Sequence, residues 1–518
     1  MAKQDNYKDI NQIPQEKFEL VQHDRPIYDA KIETKSITYL GDAARRFSRN
    51  GASVAAFIII ILILLFAIIA PFVSKYDVSY VDGTYTRVRP KVEAFERSGF
   101  WDGSKSVVAS DRYFIYLNAI GMGAEDTDGT GEITWDDGKE NEFRAINNFE
   151  SPYTSQDRRY RDVTVDSYYL TGFKYETITE AKMQDILEWE AETGLQVIYP
   201  MIDKNASMHS QSDANYWYKH SANGTPLNAR GRQMELEDVM EEGLIPNYIY
   251  DTDGEVAYYA LRDRNMVEVR ILYYNYFQYT NGFAPANTFG TDALGYDIMV
   301  RVAQGTRLSL ALASIVSLFN LTFGALFGAL QGYYGGTIDL VMDRITDIIG
   351  GMPFTVIAIL FQLHLVQTGK VSVFEGVVFA FCFQGWISTA SRVRTQFYRF
   401  KNEEYILSAR SMGAGDARLM LRHIFPNAIG TIITSSVLVI PGTIMSESSL
   451  SYIGVINFNS REMTSLGTML SNGQGYLATD PHILFIPAIV ISLMMISFNL
   501  FGNGLRDAFN PSLRGSED

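Results

Sequence analysis

Six apolar stretches of the chain are long enough to cross a lipid bilayer. Asn50 to Ser74 is 25 residues without Asp, Glu, Lys or Arg. As a helix that stretch reaches ~37 Å, against a bilayer core of ~30 Å. Leu308 to Ile338 is uncharged over 31 residues and must include some loop, and Ile348 to Gly369 is interrupted only by His364. Val371 to Ser391 makes a fourth span, with Glu375 near its start, and Ile424 to Ser446 and Pro481 to Leu505 complete six. Between the first two spans the pattern shortens. Thr179 is expected to cap a helix from Glu180 to Thr193, with Ile186, Leu187 and Trp189 for burial and Gly194 as its stop. Leu195 to Ile202 and Met266 to Tyr279, rich in β-branched and aromatic residues, are expected to be strands. The pattern predicts an α-helical polytopic membrane protein of six transmembrane helices with an inserted α+β domain.

Charge separates the same two parts. Of the chain's 59 acidic and 44 basic residues, 36 and 21 fall between Lys75 and Pro285, leaving 23 of each elsewhere. The whole net charge of −15 therefore belongs to the inserted block, which is no candidate for binding nucleic acid. With Cys382 the single cysteine, no intrachain disulfide can staple that block. The first apolar run starts too far in, and is too long, to be expected as a cleavable signal.

Arg45, Arg46 and Arg49 crowd the start of the first span and place the N-terminus in the cytoplasm by the positive-inside rule. Alternation then puts the acidic block outside and the loop from Arg392 to His423 inside. That loop carries seven basic residues against Glu403, Glu404 and Asp416. The expected divisions are a cytoplasmic segment 1–49, a first span 50–74, an extracellular domain 75–287, a membrane core 288–507 containing a cytoplasmic loop 391–427, and a cytoplasmic tail 508–518. Few ionisable groups lie deep in the spans, which disfavours a proton- or sodium-coupled transporter. No Gly-x-x-x-x-Gly-Lys-Ser/Thr phosphate loop occurs, so uphill movement of a solute must draw its energy from another polypeptide.

Within the loop, Tyr405 to Met412 can form a short helix with Tyr405, Ala409 and Met412 on one face. Ser408, Ala409 and Ser411 keep it slim, Gly413 can end it, and Pro426 suits the start of the next span. Ser408-Ala409, Gly413-Ala414 and His423-Ile424-Phe425-Pro426-Asn427 resemble the "EAA" loop of ATP-binding-cassette (ABC) importer permeases. The His-x-x-Pro-Asn ending is similar to the C-type subunit of oligopeptide, dipeptide and nickel importers. Leu407 stands where that family has the naming Glu. Phe47 to Asn50, Gly290 to Gly295 with Asp297 and Arg301, and Gln331 to Gly336 with Asp339, Met342, Arg344 and Asp347 extend the likeness. Glu447 to Gly454 and Asn499 to Asp507 complete it, in order along the chain.

The resemblance implies a non-catalytic permease subunit in a bacterial cytoplasmic membrane, with the type I ABC importer fold. It implies a second permease subunit, two ATP-binding subunits that hold ATP and Mg, and an extracellular solute-binding lipoprotein. The substrate class would be peptides or similar small polar solutes. Tyr405, Ser408, Ala409, Arg410, Gly413, Ala414, His423, Pro426 and Asn427 would form the ATPase-coupling element. In the inserted block, Asp126, Asp128, Thr130, Glu132 and Asp137 approach the spacing of a calcium loop. The same residues also read as an acidic, Gly-rich surface turn. A membrane-anchored extracellular sensor or adhesion protein is the alternative that would account for the acidic domain alone.

Overall fold

The structure, a computed structural model, describes residues 39–125, 143, 145–156, 158–204, 213–458, 460–461 and 463–509. A short helix, α1 (Tyr39–Arg49), leads through Asn50 into α2 (Gly51–Val73). The Asn50 side-chain oxygen accepts the Ser53 amide, so the first span opens on a capped turn.

The strands lie between α2 and the next long helix. One sheet has the order β1 (Ser104–Ser110), β4 (Arg158–Asp166), β2 (Ile146–Phe149), with β3 (Tyr153–Ser155) also paired to β4. The other has the order β5 (Phe173–Thr179), β8 (Met266–Leu272), β6 (Ile198–Tyr199), with β7 (Tyr259–Asp263) on β8. All their pairings are antiparallel. Helix α3 (Asp111–Glu125) supplies Phe114, Ile115 and Leu117 to a core with Val163, Val165 and Trp217.

Helix α4 (Glu180–Thr193) has the expected bounds: Thr179 accepts the Lys182 amide and Gly194 closes the helix in the left-handed conformation. Ile186 is buried and Leu187 is exposed, so one of the expected core residues faces out. A short helix, α5 (Leu236–Glu242), precedes β7. The expected strand at 266–279 ends at Leu272 and continues as helix α6 (Tyr273–Asn281). Helical spacing sends Tyr274 and Phe277 into one aromatic cluster with Tyr76, Tyr85 and Tyr168, which alternation could not do. Of the strand expected at 195–202, Ile198–Tyr199 pairs with β8 and Ile202 makes an isolated antiparallel bridge to Tyr248.

The membrane part follows. Helix α7 (Ile298–Tyr334) begins ten residues before the uncharged run and ends at Gly335 and Gly336, both at positive φ. Helix α8 (Gly336–Gly350) and α9 (Phe354–Phe361, continued as a π-turn through Val366) form a pair bent by 73°. Pro353 disfavours helix in the residue before it, which sets the break. Gln384 donates to the carbonyls of Ile349 and Met352 at 3.2 and 3.0 Å, satisfying oxygens the break leaves open. Helices α10 (Val373–Gln384) and α11 (Trp386–Phe400) run on as one span across Gly385. Glu375 closes a capping box with Ser372 at the start of α10, a structural use for that carboxylate.

Then come α12 (Glu404–Ser411), the single turn α13 (Asp416–Arg418), α14 (Phe425–Val437), α15 (Val439–Tyr452), α16 (Leu466–Gly473) and α17 (His482–Phe509). By length and composition the described residues contain four helices able to cross a membrane, or six if each bent pair is one span. One deep carboxylate escaped the charge count. Glu447 is buried on α15 and accepts from Ser309 and Ser451 at 3.3 and 2.9 Å.

Gly324, Gly328 and Gly332 lie one turn apart on α7 where α11 crosses it. A Cβ at Gly324 would meet the Trp386 carbonyl oxygen at 2.8 Å, and one at Gly328 would collide with the Ala390 carbonyl. Small residues at such a crossing let two backbones approach closely. Gly328→Val is expected to cost ~1–3 kcal/mol by forcing the helices apart. Thermal unfolding in detergent measures this, with Gly475→Ala, where nothing lies within 4 Å, as the comparison.

Candidate functional site

The loop between α11 and α14 is held in one shape by its own ends. Helix α12 closes with the Ala414 amide on the Ala409 carbonyl (3.1 Å) and the Gly413 amide on the Arg410 carbonyl (2.9 Å). That pair of bonds is a Schellman stop, and Gly413 supplies the required positive φ of 87°. At the far end Pro426 sits in the first turn of α14, where its missing N–H leaves no gap.

Of the nine residues expected in the site, the structure divides inner from outer. Ala409 is buried with Ile406, Leu419 and Ile424, and Ala414 packs on the same cluster. Tyr405 and Met412, expected on Ala409's face, are exposed. The reason is geometric: α12 turns Ile406 and Ala409, three apart, toward Leu419 and Ile424 in the turn before α14, leaving their neighbours outside. Ser408, Arg410, Gly413, Pro426 and Asn427 are exposed and His423 is half-buried. Asn427 donates to the Tyr405 hydroxyl (3.1 Å) and the His423 carbonyl (2.8 Å), tying α14 to α12. Partial burial raises the Tyr405 phenol, with the Asn427 amide acting the other way, so it stays a neutral hydroxyl. The outer surface is apolar for a polar loop, with Leu407, Met412 and Leu421 at 47, 83 and 71% exposure.

A second layer, absent from the expected set, clamps this loop to the spans. The Tyr333 hydroxyl, at the end of α7, donates to Asp416 at 2.6 Å and accepts from Arg410 at 3.3 Å. Lys401 donates to the Gly332 carbonyl at 3.1 Å. Arg394 on α11 bridges Asp339 and Asp343 on α8, each at 2.8 Å. The sequence carries half of this signal: Asp339 and Asp343, four apart, share one face of any helix. The calcium-like set, Asp126, Asp128, Thr130, Glu132 and Asp137, lies outside the described residues. Among those described, no three His, Cys, Asp or Glu side chains are placed to hold a metal ion.

Comparison with known proteins finds two family matches. Residues 320–515 match the binding-protein-dependent transport system inner membrane component, and 38–90 match the N-terminal TM domain of oligopeptide transport permease C. The chain is similar to the oligopeptide transport system permease protein OppC of Bacillus subtilis, 38% identical over 226 residues, covering 44% of this chain and 72% of that one. It is 36% identical over 227 residues to the dipeptide transport system permease protein DppC of Bacillus subtilis, covering 44% and 69%. To the glutathione transport system permease protein GsiD of Pectobacterium atrosepticum it is 34% identical over 242 residues, covering 47% and 78%.

Tyr333→Phe removes both hydrogen bonds of the clasp and leaves the ring in place. It is expected to speed trypsin cleavage after Arg410 and Arg418 by roughly tenfold, given ~1.5–3 kcal/mol for a hydrogen bond to a charged group. Equal cleavage in mutant and wild type would remove the clasp as the element that orders the loop.

Proposed function

The chain belongs to the family of binding-protein-dependent transport permeases that includes the C-type oligopeptide and dipeptide subunits, and from that premise we propose how it works. It is a non-catalytic membrane subunit of an ABC importer. In the reading proposed, the transported solutes are peptides or similar small polar molecules, and the fold is the six-span type I arrangement with two of the spans bent. A second permease subunit completes the pathway, two ATP-binding subunits supply ATP and Mg, and an outer solute-binding lipoprotein delivers the cargo. Both termini lie in the cytoplasm, consistent with Arg45, Arg46 and Arg49 before α2 and the basic loop after α11. The sensor or adhesion alternative finds no support, since the matches are to transport permeases.

One observation carries the coupling role: α12 is a short helix, stopped at Gly413, tied to the end of α7 by the Arg410–Tyr333 bond and exposing Leu407 and Met412 among polar neighbours. A motor subunit that grips this surface pulls on the Tyr333 clasp and the Arg394 bridges. Movement of α12 therefore becomes movement of α7, α8 and α11, which biases the spans between two packings. With Leu407 in place of the family's Glu, contact with the motor rests on apolar shape.

The acidic block 75–287 is proposed as an extracellular insertion that receives the solute-binding protein. Its junction with the spans is hydrogen-bonded on both sides. The amide of Arg87 bonds to the Asp292 carbonyl and that of Lys91 to the Asn287 carbonyl, at 3.0 and 2.8 Å. Arg89 reaches the Thr479 carbonyl at 2.6 Å, just before α17.

Met412→Asp combined with Leu407→Asp is expected to leave the chain inserted and assembled while lowering binding-protein-stimulated ATP hydrolysis at least ~10-fold, since charges enter an apolar contact. Undiminished stimulation would sink the coupling role of α12. Replacing residues 92–286 with a short linker spares the paired segment 82–91. Lower affinity for the binding protein is expected, and unchanged uptake and affinity together would remove the docking role.

A further inference from the structure

The mid-membrane surface of the chain holds a cleft of about 550 Å³ between α7, α9, the α10–α11 junction and α15. Its lining is largely apolar, from Phe354, Phe381 and Val439, crossed by a strip of amides and hydroxyls at Asn320, Gln384 and Thr443, and no charged side chain lines it among the described residues. Asn320 lies 14 residues before the Tyr334 end of α7. At 1.5 Å per residue that is ~21 Å along the helix, inside a ~30 Å apolar core. Amides and hydroxyls facing lipid at that depth would be costly, so a cleft of this composition belongs on a water-filled path.

Asn320 is the second, independent sign. Its side chain is 2% exposed and lines the cleft, and its Oδ1 has no hydrogen-bond partner. A buried acceptor left open costs ~1–3 kcal/mol unless something fills it. The opposite wall is held close, since a Cβ at Gly385 would meet Asn320 Nδ2 at 2.5 Å. A second cavity of about 430 Å³ shares Gly350, Ile387 and Ser391 with the cleft. It leads toward the coupling loop and is lined by Asp343 and Asp347 with Arg394.

We propose that the cleft is a substrate-contact subsite in which Asn320 Oδ1 accepts a main-chain N–H of the passing peptide. The inference rests on the reading of the chain as a peptide permease subunit. An uncharged cleft with an open amide acceptor at Asn320 can read the backbone N–H, common to all peptides, without reference to side-chain charge. The subsite thus sorts substrates by backbone N–H groups and leaves side-chain preference to other components.

The test uses the complete importer in proteoliposomes with its binding protein, and two probes: tri-alanine and tri-alanine methylated on both peptide nitrogens. Wild type is expected to favour tri-alanine. In Asn320→Leu, tri-alanine uptake should fall toward the methylated rate, lowering the ratio of the two rates ~10-fold relative to wild type, the worth of one buried hydrogen bond. The binding protein's own preference cancels, because the same protein serves both chains. A merely structural Asn320 would lower both rates and leave the ratio unchanged, which overturns the proposal. Ser388 is exposed at the rim, so Ser388→Phe fills the cleft without disturbing the core. Loss of tri-alanine uptake in that variant supports the subsite, and uptake within ~2-fold of wild type overturns it, because a blocked contact must slow passage. Failure of wild type to take up tri-alanine at all is read before any variant. It overturns the peptide reading itself, and the subsite with it.

Discussion

Helix α7 carries Gly324, Gly328 and Gly332 where α11 crosses, and nothing larger fits between the two backbones. That close approach sets the rest of the loop-side architecture. It brings Arg394 within reach of Asp339 and Asp343 on α8, and Lys401 onto the carbonyl of Gly332. It also leaves Tyr333 at the helix end, where its hydroxyl meets Asp416 and Arg410. The loop between α11 and α14 is therefore attached to three membrane helices through groups that depend on one packing distance. A change in how α7 and α11 cross must be felt at α12, and the reverse holds by the same linkage.

The end of the membrane part away from that loop uses a different device. There the chain leaves α2, makes paired contacts between 82–91 and 287–297, and only then builds its two antiparallel sheets. Asn287 donates to Asp297, the N-cap of α7, at 2.8 Å, so the end of the acidic block and the start of α7 share one hydrogen-bond network. The sheets themselves lean on a dense aromatic core in place of disulfides, with Tyr85, Tyr168, Trp217 and Tyr218 fully buried.

Much of this was legible in the residues. The caps at Thr179 and Gly194, and the stop at Gly413, were readable because a cap needs only its own few neighbours. The spans were readable because apolar length is a local property, although α7 runs ten residues further out than its uncharged stretch. The strand expected at 266–279 was half right: β-branched residues carried it to Leu272, and beyond that tertiary contacts of Tyr274 and Phe277 chose a helix. The face assigned to α12 also failed, since a slim helix with Tyr405, Ala409 and Met412 in view does not say which side its own protein will cover.

Hydrophobic period and charge by themselves determined that the chain spans a membrane, which loop is basic, and where a short helix could stop. They do so because each depends on residues within a few turns of one another. Only the tertiary structure decided that Arg394 bridges two carboxylates on α8, that Tyr333 clasps a loop more than 80 positions away, and that Asn320, Gln384 and Ser391 meet in one cleft. Those meetings are set by where helices cross, and a crossing is chosen by the fit of whole surfaces, which no local pattern encodes.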